Sequence, residues 1–166
     1  MRASRAIATL GYVGLLRPAP GTWGSAAALP AGYALHVAGG FPLLVLGTLV
    51  ALGLGWWAAR AEERATGAHD PGEIVIDEAV GIWIALMPLS GGLWHAGADP
   101  WVFPWPGWVG AFVLFRLFDI WKPGPVGWAD RQPGAAGVML DDVIAGLMAA
   151  LGVAAAAFVA HGVLGA

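Results

Sequence analysis

The chain has no cysteine. Disulfides, thiolate metal sites and cysteine-nucleophile phosphate chemistry are therefore excluded together. Charge is nearly as scarce: 11% of the 166 residues are charged, against 58% hydrophobic. A mean hydropathy of +0.71 fits a small helical membrane protein and not a soluble domain. There is no basic run and the net charge is −3, which argues against nucleic acid as a partner. The signature of a cleavable leader is missing too. Arg2 and Arg5 precede a weak apolar stretch, but Arg17-Pro18-Ala19-Pro20 interrupts it and no small-residue cleavage site follows. The expectation is one membrane-embedded domain over residues 1–166, with residues 1–20 as a retained, interfacial N-terminal segment.

What is present is a series of apolar runs at residues 26–41, 42–59, 74–93, 105–121 and 143–164. A helical span takes ~20 residues, or ~17 at the short end, so the first and fourth runs are marginal. The first either spans or forms a re-entrant arm that turns at Gly39-Gly40. The expected fold class is all-α: a polytopic bundle with about four to five membrane-embedded helices. Gly146, Ala150 and Ala154 recur at a four-residue spacing, as close helix packing in lipid requires. If the N-terminus is cytoplasmic and every run spans, all eight basic residues fall on the cytoplasmic side, as the positive-inside rule asks. Trp94, Trp101 and Trp105 then mark the outer interface, and Trp23, Trp57, Trp121 and Trp128 the inner one.

That topology gathers the polar segments at the cytoplasmic face. Asp77-Glu78 opens the third run and Asp141-Asp142 precedes the fifth. An ionised carboxylate costs roughly 2.5–3.5 kcal/mol at a helix centre, so four of them in a chain this apolar suggest a shared divalent cation. Mg²⁺ takes oxygen ligands, commonly one or two carboxylates with waters and substrate phosphate oxygens. Adjacent helical acids point about 100° apart, so one can ligate while the other orients. The bland alternative is helix capping, which suits Asp141-Asp142 better than Asp77-Glu78, since Ile74-Val75-Ile76 precede the latter.

Phe115-Arg116-Leu117-Phe118-Asp119-Ile120-Trp121-Lys122-Pro123-Gly124-Pro125 places Arg116 and Asp119 on one helical face and Lys122 at the last turn. Arg116 and Lys122 can bind phosphate. Alternatively, Arg116 and Asp119 merely neutralise each other and Lys122 snorkels to the surface. Pro20-Gly21-Thr22-Trp23-Gly24-Ser25 is read as a glycine-bearing loop that offers N–H and hydroxyl donors to an anion, or as a turn capped by Thr22 or Ser25. Gly134-Ala135-Ala136-Gly137 reads as a flexible turn before Asp141. His69 and Asp70 read as solvated loop residues, and Glu62 and Glu63 as members of a surface turn with Arg60 and Arg64.

Together with Ile76-Asp77-Glu78-Ala79-Val80-Gly81-Ile82-Trp83 and Gly137-Val138-Met139-Leu140-Asp141-Asp142-Val143-Ile144-Ala145-Gly146, the Arg116 and Pro20–Ser25 segments resemble phosphatidylglycerophosphatase A, a family of bacterial membrane lipid phosphatases. The resemblance covers nearly the whole chain in the family's order. It implies Mg²⁺-dependent conversion of phosphatidylglycerophosphate to phosphatidylglycerol, with catalytic roles for Asp77, Glu78, Asp141 and Asp142. With the topology read from the basic residues, the expected location is the bacterial inner membrane, with the cytoplasmic leaflet as the source of substrate. The residues themselves suggest Asp77, Glu78, Asp141 and Asp142 as metal ligands. Asp119 would orient Arg116, Arg116 and Lys122 would hold phosphate, and Gly21, Thr22, Gly24 and Ser25 would lie beside it. The rival is a small cation- or proton-coupled transporter whose acids bind the transported ion.

Overall fold

The structure is a computed structural model that describes residues 2–67 and 72–163. His69 and Asp70 lie outside the described residues. The rest is all-α, with no strand among the described residues. The order is α1 (Ala3–Ala8), a 3₁₀ turn (Val13–Leu15), α2 (Pro20–Thr66), α3 (Ile76–His95), α4 (Trp105–Trp121), α5 (Gly124–Asp130), α6 (Ala135–Phe158) and a π turn (Val159–Val163).

α2 consists of two arms. At Gly39-Gly40 the backbone leaves helical geometry, and Gly40 adopts φ 64°, ψ −158°, a region open essentially to glycine alone. The arms fold back on each other. Gly24 in the first arm and Gly55 in the second pack at the start of α3, against Val75 and Ile76, while Gly40 lies on Trp94 at the opposite end of α3. The expected turn at Gly39-Gly40 is therefore present, and the first arm runs the length of α3. Pro30 sits inside this arm without ending it.

α3 is the central element, buried on nearly all sides from Ile76 to Leu86. It is covered by α2 on one side and by α6 and Phe115 of α4 on the other. The closest approach is at Gly81 and Gly146: a Cβ added to Gly146 would lie 2.5 Å from the Gly81 carbonyl oxygen. This is small-residue packing of the kind membrane helices use. The buried face of α6 carries Asp142, Ala145, Gly146, Ala149 and Val153, whereas Ala154 is exposed. The four-residue spacing therefore marks the contact at Gly146 but not beyond it. The N-terminal segment docks on the bundle: Ser4 Oγ donates to Glu62 at 2.6 Å, and Val75 N donates to Ala8 O at 2.8 Å.

Several expectations are corrected. α6 begins at Ala135, eight residues before the apolar run, because Gly134 (φ 69°) starts the helix and Gly137 packs on the Gln132 carbonyl. Asp141-Asp142 thus lie in its second turn, and capping does not explain them. Asp77-Glu78, conversely, sit in the first turn of α3, at the positive end of its dipole. Pro20–Ser25 is no loop, since Pro20 is a first-turn residue of α2, where its missing N–H costs nothing. Neither Thr22 nor Ser25 caps the helix. Glu62 is buried on α2, not part of a surface turn.

α2, α3 and α6 are long and apolar enough to cross a membrane; α4, with 17 residues, is not among them. Exposed Leu46, Leu49, Leu54, Leu147 and Leu151 give α2 and α6 apolar outer faces.

Candidate active site

The start of α2, the start of α3, the end of α4, α5 and the second turn of α6 meet at one end of the bundle. Between them lies a cleft of about 220 Å³ whose lining includes Asp77, Glu78, Asp119, Asp130, Asp141 and Asp142, with Lys122 as the cation. In so apolar a chain this is a dense accumulation of one charge, and it attracts cations.

Glu78 is its most connected acid. It is 8% exposed, accepts from Ser25 Oγ at 2.5 Å, and accepts from Arg116 Nη1 at 2.7 Å through both oxygens. The same Arg116 nitrogen donates to Asp119 at 2.7 Å, one helical turn away on α4, while Nη2 lies 3.5 Å from Thr22 Oγ1. One guanidinium nitrogen therefore bridges two carboxylates, and the other turns toward the hydroxyl of α2. A Cβ at Gly21 would collide with Glu78 Oε1, so glycine lets the first turn of α2 approach this carboxylate. Gly24 plays a different part. It packs against the Val75 side chain and does not line the cleft.

Carboxylate oxygens of Glu78, Asp119 and Asp142 lie within 4.8 Å of one another. An all-oxygen, anionic donor set without sulfur or imidazole suits a hard divalent cation such as Mg²⁺. Asp77 and Asp141, expected as ligands, line the same cleft but stand outside this group. Each holds the backbone of the acid that follows it: Glu78 N donates to Asp77 Oδ1 at 2.9 Å, and Asp142 N donates to Asp141 Oδ1 at 3.0 Å. The two acid pairs are thus built alike, the first carboxylate bracing the residue that carries the second. Asp119, expected to orient Arg116, pairs with it and also joins the three-acid group.

Lys122 adopts a left-handed conformation (φ 50°) as the cap of α4, which swings its side chain into the cleft. Its Nζ donates to Asp141 at 2.9 Å and also to Asp130. Partial burial alone would lower the Lys122 pKa, but the bonds to Asp130 and Asp141 outweigh it and hold the ammonium above its usual range. Sequence reasoning missed Asp130 and Gln132, which also lines the cleft. α5 is short and follows Pro123, and its one signal was an acid eight residues beyond Lys122.

Comparison with known proteins bears on this arrangement. The sequence profile of the family described as phosphatidylglycerophosphatase A matches residues 6–157. A phosphatidylglycerophosphatase A of Escherichia coli K12 is 38% identical over 141 residues, covering 82% of this chain and 73% of its own length. One of Haemophilus influenzae Rd is 36% identical over 139 residues, covering 83% and 78%. A protein of Bacteroides thetaiotaomicron with the provisional name phosphatidylinositol-3-phosphatase is 37% identical over 147 residues, covering 85% of each chain. No solved structure matches the chain. The matched region takes in each cleft residue from Gly21 to Asp142, and on this evidence the chain belongs to the phosphatidylglycerophosphatase A family.

Proposed function

We propose that the protein is a Mg²⁺-dependent lipid phosphatase that hydrolyses phosphatidylglycerophosphate to phosphatidylglycerol and phosphate in glycerophospholipid synthesis. The observation that carries this reading is the grouping of Glu78, Asp119 and Asp142 in one cleft of a membrane-type bundle, with Arg116 bonded to the first two. These three carboxylates would hold the cation. When bound, Mg²⁺ supplies Lewis-acid polarisation of a phosphoryl oxygen and acidifies a bound water.

The remaining work falls to the chain. Arg116 is held by Glu78 and Asp119 through Nη1, so its Nη2 and the Thr22 hydroxyl are the donors we assign to a phosphate oxygen. Lys122, braced by Asp130 and Asp141, offsets charge on the phosphoryl group. Asp77 is the acid we assign to taking the proton from an attacking water, by direct attack without a phosphorylated enzyme. The P–O bond to the headgroup glycerol breaks and its oxygen takes a proton from solvent, while Asp141 keeps Lys122 and the Asp142 backbone in place. Both arms of α2 with α3, α4 and α6 would make five membrane-embedded helices in the bacterial inner membrane. The cleft would face the cytoplasm, residues 1–20 would lie at the interface, and the substrate would come from the cytoplasmic leaflet. Support comes from the eight basic residues on one side of that topology. The names of the Escherichia and Haemophilus relatives favour phosphatidylglycerophosphate as substrate, and the Bacteroides name shares its chemistry, a phosphomonoester on a phospholipid headgroup. Against the transporter reading, the acids converge at one end of the bundle and not at mid-depth, where transport sites lie.

The test is phosphate release by purified protein from phosphatidylglycerophosphate, phosphatidic acid and glycerol 3-phosphate, with and without EDTA. The expected order is that order, with EDTA abolishing turnover and Mg²⁺ restoring it. Equal rates on glycerol 3-phosphate would overturn the lipid assignment, and full activity in EDTA the metal.

A further inference from the structure

We propose that the apolar groove between the first arm of α2 and α4 holds one acyl chain of the phospholipid substrate; this rests on the lipid-phosphatase reading of the neighbouring cleft. The groove encloses about 420 Å³. One wall is a stripe on the first arm, Ala26, Leu29, Pro30 and Tyr33, at the spacing that keeps side chains on one helical face. Trp108 of α4 faces it, and Trp101 and Phe103 lie at the end of the stripe that Tyr33 occupies.

Continuity with the cleft selects the occupant. Ala26 directly follows Ser25, whose hydroxyl touches Glu78 and lies 3.5 Å from Arg116. From there the stripe leads away from the cleft for ~10 Å, seven residues of helical rise. α4 runs beside it in the same way, with Arg116 bonded to the cleft acids Glu78 and Asp119 and Trp108 about two turns away. The two helices are tied together at the cleft through Arg116, Thr22 and Ser25. At the other end Tyr33 Oη donates to Trp101 O at 3.0 Å, and the Phe103 ring packs against Tyr33 and buried His36. The terminal phosphate is joined to the acyl chains through two glycerols and a phosphodiester, so a lipid whose headgroup folds back to set its phosphate on Arg116 would have an acyl chain running beside this seam. The lining is apolar and aromatic, and the Tyr33 hydroxyl is already engaged, so the groove suits a hydrocarbon chain better than a sugar or a peptide.

Inside a bilayer the chain exchanges one apolar surrounding for another, so the groove gains little by burial. Its contribution is to register, holding the lipid where the terminal phosphate meets Arg116. The effect belongs in kcat more than in surface KM.

The experiment uses phosphatidylglycerophosphate with a diazirine midway along one acyl chain, in phosphatidylcholine vesicles, photolysed and mapped by mass spectrometry. Adducts are expected on residues 26–33 and Trp108, suppressed by excess unlabelled phosphatidylglycerophosphate. A diazirine phosphatidylcholine should show no enrichment there. Ala26→Phe should reduce these adducts and lower the diacyl-over-deacylated kcat preference about tenfold. Leu29→Trp, which narrows the same groove, serves if Ala26→Phe does not fold. Labelling spread evenly over lipid-facing Leu46, Leu49 and Leu151, or equal labelling by the phosphatidylcholine probe, would overturn the proposal. Wild-type protein that releases phosphate from no ester fails the phosphatase reading instead, and the labelling then decides the groove by itself.

Discussion

Arg116 holds Glu78 and Asp119 through a single nitrogen, and this arrangement makes its role testable. Lysine in its place carries all its donors on one nitrogen, so it cannot hold the acids where Nη1 does and also reach substrate where Nη2 does. Arg116→Lys should lower kcat on the order of 10²-fold, the scale of losing one transition-state donor, as steady-state kinetics would show. If Arg116 only neutralises its acids, Arg116→Lys, which keeps the charge, should retain near wild-type kcat, and that result would remove Arg116 from the phosphate site. Asp142→Asn tests the three-acid group from the other side. It removes one of several like charges from the cleft, so the melting temperature should hold or rise while Mg²⁺ affinity, by titration calorimetry, falls at least about tenfold. Unchanged affinity would exclude Asp142 as a ligand.

At the scale of elements, the crossing of α3 and α6 sets how close the two acid pairs come. Gly146→Ala would press a methyl group into the backbone of Gly81 and force the helices apart. A loss of about 1–3 kcal/mol is expected, the usual cost of overpacking, read as a lower thermal midpoint in detergent with activity falling in parallel. Gly53→Ala is the matched control, because a Cβ there meets nothing within 4 Å. It should be neutral or slightly stabilising. Equal destabilisation by both would mean that the crossing is no tighter than the rest of the bundle.

Across the whole molecule, the prediction concerns sidedness. The chain lacks cysteine, so single cysteines report cleanly. A cysteine at Gly72 or Gly134, both lining the cleft, should react with an impermeant maleimide only from the cytoplasm, and one at Ala98 only from outside. The exposed tryptophans agree with two interfaces: Trp23, Trp57, Trp121 and Trp128 belong to the cleft end, and Trp94, Trp101 and Trp105 to the other. Labelling of position 134 from outside would turn the cleft away from the proposed substrate pool.

The all-helical class, the turn at Gly39-Gly40 and most of the segments that meet at the cleft were legible in the sequence, because each rests on a local property. Long apolar runs, a glycine pair and acids in an apolar setting need no partner to be recognised. The true start of α6 was not legible: Gly134 and Gly137 look like a loop until Gly137 is seen packed on Gln132. Nor was the division between Gly21, which makes room for Glu78, and Gly24, which packs on Val75, since both are small residues in one turn. Above all, the sequence pointed to two acid pairs, whereas the fold joins one member of each pair to Asp119 of a third helix. Which carboxylates converge depends on how α3, α4 and α6 are rotated about their axes, and that rotation is decided by contacts such as Gly81 on Gly146, made between residues far apart in the chain.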